Sequence, residues 1–269
     1  MFDWNPGIKT MLAAKTILTL ALAASALAFR SAGQTPNKET FEQIKAVAEK
    51  GHAAAEYKLA VCLANGDGAP KNPAEAFRWC HKAAEQGYPA AQEALGIMYV
   101  NGQGVATNEM EAAKWYRKAA EQGVAGAQSK VGDGYANGLG GLGQDYAEAV
   151  RWYRKAADQG DAGAENKLAS RYELGQGVAR DPAAAATWYQ KAAEQGYAPA
   201  QFNLGRCYAR GLGLSKDAVQ AYKWMKLASE QGDEKSKEAQ TALEAEMTKE
   251  QLAEALRLSR EFKPQNLKQ

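Results

Sequence analysis

Histidine is nearly absent. His52 and His81 are the only two in 269 residues, so a histidine-rich metal site is excluded. No G-x-S-x-G, H-E-x-x-H or paired Cys-x-x-Cys motif occurs. Both histidines lie far from Cys207 in sequence, which leaves a catalytic triad little to draw on, and the many carboxylates are scattered as on solvated helix faces. Cysteine is scarce too: Cys62, Cys80 and Cys207. An odd number in an exported chain leaves at least one thiol unpaired or pairing between chains. No charge of one sign dominates, since 33 Lys+Arg against 31 Asp+Glu gives +2. That argues against a nucleic-acid surface, which carries a clear basic excess. Long apolar runs are missing as well. Ile17 to Ala24 falls short of the roughly 20 residues a spanning helix needs.

That short run instead has the build of an export signal. Lys9 and Lys15 form a basic region before it, and Ala26-Leu27-Ala28 follows as an A-x-A cleavage pattern. We expect residues 1–28 to be a signal peptide cut after Ala28, with either Met1 or Met11 as the start. The mature chain is then periplasmic or secreted, with no stable membrane span. No cysteine near the cut offers a lipid anchor. Residues 29–39 carry Gly33 and Pro36 among polar residues and read as a flexible lead.

What the chain does have is a repeat. Trp115-Tyr116-Arg117-Lys118-Ala119-Ala120-Glu121-Gln122-Gly123 recurs as Trp152 to Gly160 and as Trp188 to Gly196, with looser copies at Trp79 to Gly87 and Trp224 to Gly232. The closing glycines fall at 51, 87, 123, 160, 196 and 232, a period of 36 with a single 37. Self-similarity at that period signals stacked supersecondary units and an elongated core. Each unit opens with a helical run. In the second it is Pro89 to Asn101, with Ala91, Leu95, Gly96 and Tyr99 on one face. Small residues recur beside the leucine, as if a neighbouring helix backbone comes close there. A glycine pair then stops the helix, at Gly66/Gly68, Gly102/Gly104, Gly175/Gly177 and Gly211/Gly213. Asn72, Asn108, Asp145, Asp181 and Asp217 follow as N-caps of a second helix, with Pro73 and Pro182 at the first helical position. In that second helix five of the six tryptophans share one phase between alanines, which predicts a packing device with Trp152 buried between units.

Thr40 to Lys50 reads as an orphan helix capping the first unit. After the fifth, Asp233 to Met247 reads as another first helix. Thr248-Lys249-Glu250-Gln251 is a capping box that opens a final polar cap, and residues 263–269 read as a frayed tail. Gly138 to Gly143 matches G-x-G-x-x-G, but a helix rather than a strand precedes it, and it is the ordinary glycine loop one residue longer. Cys62 and Cys80 lie on the two helices of one hairpin, offset along its axis against the ~7 Å that a disulfide needs between Cα atoms.

The in-phase patterns A-x3-L-G-x2-Y-x2-G-x-G and A-x2-W-Y-x-K-A-A-x-x-G resemble the Sel-1-like repeat, a relative of the tetratricopeptide repeat, from about Phe41 to Phe262. The resemblance implies an all-α, right-handed α-solenoid of antiparallel helix pairs that holds other proteins. With the reading above it has five full repeats plus terminal capping helices over residues 40–262. Some secreted members of the family carry a cysteine pair in every repeat and bind β-lactams. Here a pair is available only in the first unit, so that property does not carry over. By the same resemblance, exposed first-helix positions line a concave groove. They are Tyr57, Val61, Asn65, Glu93, Ile97, Asn101, Asp133, Asn137, Asn166, Ser170, Glu173, Phe202, Arg206 and Arg210. Asn65, Asn101 and Asn137 share one position, where an amide either pairs with the backbone of an extended ligand or helps end the helix. The expected function is a non-enzymatic scaffold for a peptide or protein partner, with no cofactor, catalytic residue or metal. The alternatives are a cell-wall or β-lactam hydrolase and a structural spacer in an envelope assembly.

Overall fold

The computed structural model describes residues 38–265, and every regular element among them is an α-helix. Helix α1 (Lys38–Ala48) comes first. Five pairs follow: α2 (Ala53–Asn65) with α3 (Pro73–Glu85), α4 (Pro89–Asn101) with α5 (Glu109–Glu121), α6 (Ala125–Asn137) with α7 (Tyr146–Ala157), α8 (Ala162–Leu174) with α9 (Pro182–Glu194), and α10 (Ala198–Arg210) with α11 (Ala218–Glu230). Helices α12 (Glu234–Glu244) and α13 (Lys249–Glu261) close the chain. The expected leader, residues 1–28, lies outside the described residues. No described helix is long and apolar enough to cross a membrane.

The turns follow from the residues that make them. Asn72 and Asn108 accept from Glu75 N and Glu111 N, each at 3.1 Å, and Asp145, Asp181 and Asp217 cap α7, α9 and α11 in the same way. Each cap is worth about 1 kcal/mol. Thr248 and Gln251 close a full capping box on α13. The second glycine of each pair has a packing reason beside its positive φ. A Cβ on Gly104 would sit 2.0 Å from Pro73 O, and one on Gly177 would sit 2.1 Å from Tyr146 O. The backbone of one repeat there rests directly on the first turn of the preceding repeat's second helix.

The described helices form two compact units, one of residues 38–131 with Leu139–Leu142, the other of Gly132–Gly138 with residues 143–265. In the first, Leu59, Leu95, Ala76, Ala83 and Ala91 are sealed. In the second the same phases bury Leu168, Leu204, Ala149, Ala156, Ala164 and Ala200. The predicted Ala–Leu–small face is thus the packed face.

The tryptophan expectation needs correcting. Trp115 and Trp224 are buried, but Trp79, Trp152 and Trp188 are only half-buried. The next residue fills the core instead: Tyr153 is 2 % and Tyr189 1 % exposed. Four of the five tryptophans lie under a lysine three residues on, with Nζ 4.0–4.3 Å from the ring centroid for Lys82/Trp79, Lys118/Trp115, Lys155/Trp152 and Lys191/Trp188, and Trp224 lies under Lys223 at 4.2 Å. Lysine lays its alkyl stem along the ring and holds its ammonium over the π face, an arrangement for a wet boundary. The recurring glycine has a different neighbour as well. A Cβ on Gly96 or Gly132 would meet the ring of Tyr116 or Tyr153 at 2.7 or 2.6 Å, so in these repeats glycine makes room mainly for that tyrosine.

At the far end α13 packs on α11, and Phe262 stands edge-on to Trp224 at 5.2 Å. Pro264 lies against Gly196, and Gln265 N donates to Glu194 O at 2.8 Å. Residues 263–265, read from sequence as frayed, are therefore tied down.

Candidate functional site

In the first unit the expected groove positions fall on α2 and α4. Two of them are closed. Tyr57 is 7 % and Val61 8 % exposed, within the apolar cluster that also holds Phe41 of α1, and Tyr57 packs on Tyr88 at 5.4 Å. Helix α1 packs along α2, so the end repeat draws this face into its core, and neither residue serves as an open contact. Glu93, Ile97, Asn65 and Asn101 remain half-buried. The Asn65 amide donates to Asp67 at 3.3 Å, which is the helix-ending role.

The second unit holds a chain of paired charges. Asp133 accepts from Tyr153 OH at 2.9 Å and from Lys167 Nζ at 2.8 Å. One repeat further, Glu173 accepts from Tyr189 OH at 2.9 Å and from Arg206 Nη2 at 2.8 and 2.6 Å. In both cases a first-helix carboxylate joins the core tyrosine of its own repeat to a cation on the next. Burial, then the adjacent carboxylate, drives the Tyr153 and Tyr189 phenols well above their usual range, so both stay protonated donors. Asn166 accepts from Asn203 at 2.9 Å, and Asn137 donates to its own helix at Asp133 O. Arg206 is thus held by Glu173 rather than free for a ligand. The positions left half-buried or exposed without such an ion pair are Asn137, Ser170, Phe202 and Arg210.

The sequence reading missed one feature. Five residues after each closing glycine stand Glu56, Gln92, Gln128, Glu165 and Gln201, none more than 5 % exposed. Gln92, Gln128 and Gln201 donate to the carbonyl oxygens of Ala84, Ala120 and Ala193, the last turn of the preceding second helix. Gln122 and Gln231, from the turn that closes the repeat, donate to Gln92 and Gln201 in their turn. One buried amide therefore fastens three helices. The available signal was a glutamine or glutamate fixed beside the core alanine in every repeat, where chance would vary it.

The sequence matches the Sel1 repeat at residues 53–88, 89–124, 125–161, 162–197 and 198–233, which correspond to the five helix pairs. The chain belongs to the Sel1 repeat family. Sel1 repeat proteins are in general scaffolds for protein interaction rather than enzymes. Two solved structures are similar. A Sel1 repeat protein from Oxalobacter formigenes is 32 % identical with a TM-score of 0.75, covering 93 % of this chain and 99 % of its own. A protective antigen present in uropathogenic Escherichia coli strains, which displays an SLR fold, is 38 % identical with a TM-score of 0.77 over 84 % of this chain and 48 % of its own. This chain spans about half the length of that antigen. A comparison with curated proteins found no match.

Within this Sel1 array the long glycine loop is structural. A Cβ on Gly140 would sit 2.5 Å from Ala113 Cβ, so the loop lies on the preceding repeat as its shorter siblings do. The three cysteines are buried free thiols, and Cys62 and Cys80 are not bridged. Burial pushes Cys80 up to about 12 and Cys62 and Cys207 to about 11, so none is a ready thiolate. Among the described residues no group of three or more His, Cys, Asp or Glu is placed to hold a metal ion.

Proposed function

We propose that this Sel1 protein is an exported, non-enzymatic scaffold whose first-helix face binds a peptide or protein partner. Supporting this is the face of the second unit, where a half-buried Phe202 and an exposed Arg210 lie one repeat beyond Ser170 and Asn166 on a frame braced by its own ion pairs. An aromatic and a guanidinium on a rigid backing are the residue types that carry binding energy at protein interfaces. The guanidinium suits a carboxylate through paired hydrogen bonds. The leader pattern supports export. A photo-crosslinking residue at Phe202 should capture a partner that the same residue at Lys114, on an outer second helix, does not, and Arg210→Glu should weaken the capture. Equal capture from both positions refutes the groove as the binding face. Turnover of a chromogenic β-lactam by purified protein, abolished by one substitution, would establish the hydrolase instead.

The self-paired ladder favours a second reading, a structural spacer in an envelope assembly. For a spacer, neither position yields a crosslink.

A further inference from the structure

Glutamine at the buried three-helix junction gives one N–H to a backbone carbonyl and takes one hydrogen bond at its oxygen. A carboxylate has no proton to give. Glu165, on α8, is 4 % exposed, and its Oε2 accepts from Gln195 Nε2 at 2.7 Å at the end of α9. By repeat register Ala157 is the counterpart of Ala84, Ala120 and Ala193, whose carbonyls accept from the glutamines at the sibling junctions. Ala157 and Glu165 line one cleft of about 460 Å³ with Asp158, Glu194 and Trp188. Ionised, a carboxylate at this position would stand beside a carbonyl acceptor with only 4 % of the residue open to solvent, a costly arrangement.

We propose that Glu165 is a proton-operated staple. Protonated, it donates its own O–H to Ala157 O and joins α7, α8 and α9 as Gln92, Gln128 and Gln201 do at their junctions. Ionised, it loses that bond and loosens α7 from the next pair. The charges facing it come from both sides of the junction. Lys191 on α9 favours the ionised form, while Asp161 in the α7–α8 turn and Glu194 on α9 oppose it, and Asp158 lines the same cleft. Burial outweighs them all and pushes the carboxyl from its usual 4.5 up to about 7. A folded-state value above the unfolded one means that the folded protein keeps a proton the unfolded chain has released. The staple's stability is therefore full below pH 4.5, falls as pH rises toward 7, and is gone above it.

The test compares the wild-type protein with Glu165→Gln, which installs the residue that three of the four sibling repeats carry. The two should unfold at the same temperature at pH 5, and the variant should be several degrees more stable at pH 8. Hydrogen exchange at amides 157–165, corrected for intrinsic rate, should accelerate in the wild type by up to about tenfold for each pH unit crossed between 5 and 7. It should stay level in the variant. Parallel pH curves for the two proteins would overturn the proposal. So would a carboxyl NMR titration of folded wild-type protein that places Glu165 near 4.5, a measurement that does not depend on how the variant folds.

Discussion

Tyr153 and Trp152 are neighbours in sequence and opposites in energetics. Tyr153 is 2 % exposed and bonded to Asp133, whereas Trp152 is half-buried under Lys155. Truncating a sealed aromatic costs about 3–5 kcal/mol. Tyr153→Ala should reach that range in urea unfolding, and Trp152→Ala should cost clearly less. Equal losses would show that the tryptophan shares the core. Arg206 and Arg210 separate in the same manner. Arg206→Ala strips Glu173 of its cation while its side chain is only 17 % exposed, and the orphaned carboxylate should cost about 1–3 kcal/mol. Arg210→Ala, at an exposed position, should stay within about 0.5 kcal/mol. In sequence the two arginines look alike, one turn apart on one face. What Arg206 faces, across a repeat boundary 33 residues away at Glu173, is not written next to it.

At the scale of the element, the loop between paired helices does two things at once. Its first glycine ends a helix, and its second lies on the preceding repeat. Gly177→Ala would force a methyl to 2.1 Å from Tyr146 O at φ +73° and should cost more than about 1 kcal/mol. Gly143→Ala, with nothing within 4 Å of the new Cβ, should be neutral within about 0.5 kcal/mol. A comparable loss at both sites would mean that general loop stiffness, not the contact, is responsible. Helix bounds and caps were legible because they depend on residues within one turn, as Asn72, Asp181 and Thr248 demonstrate. The exposure of the expected groove positions was legible only in part. Phase picks out the exposed side of a first helix, but Tyr57 and Val61 lose that exposure in the end repeat, where α1 packs along α2.

For the whole molecule, the repeat explains stability by addition. Each pair buries its face mainly on its neighbours, so the cost of a change depends on its phase more than on its repeat. The proposed leader makes a separate prediction. Protein recovered from an expressing cell should begin near Phe29 by mass spectrometry. Cytosolic, soluble protein that retains Lys15 to Ala28 would remove the export proposal.

The period of 36, the glycine stops, the caps and the Ala–Leu–small faces were determined by sequence alone, because short-range geometry and helical periodicity act within one unit. The tertiary structure decided three things. It put tyrosine in the core and left tryptophan at the rim under lysine. It tied Asp133 to Lys167 and Glu173 to Arg206 across repeats. It turned a polar residue beside a core alanine into a three-helix fastening, with a carboxyl at Glu165 where Gln92, Gln128 and Gln201 carry an amide. The last two rest on which side chain of the neighbouring repeat meets which, a distance set by stacking and not by local spacing.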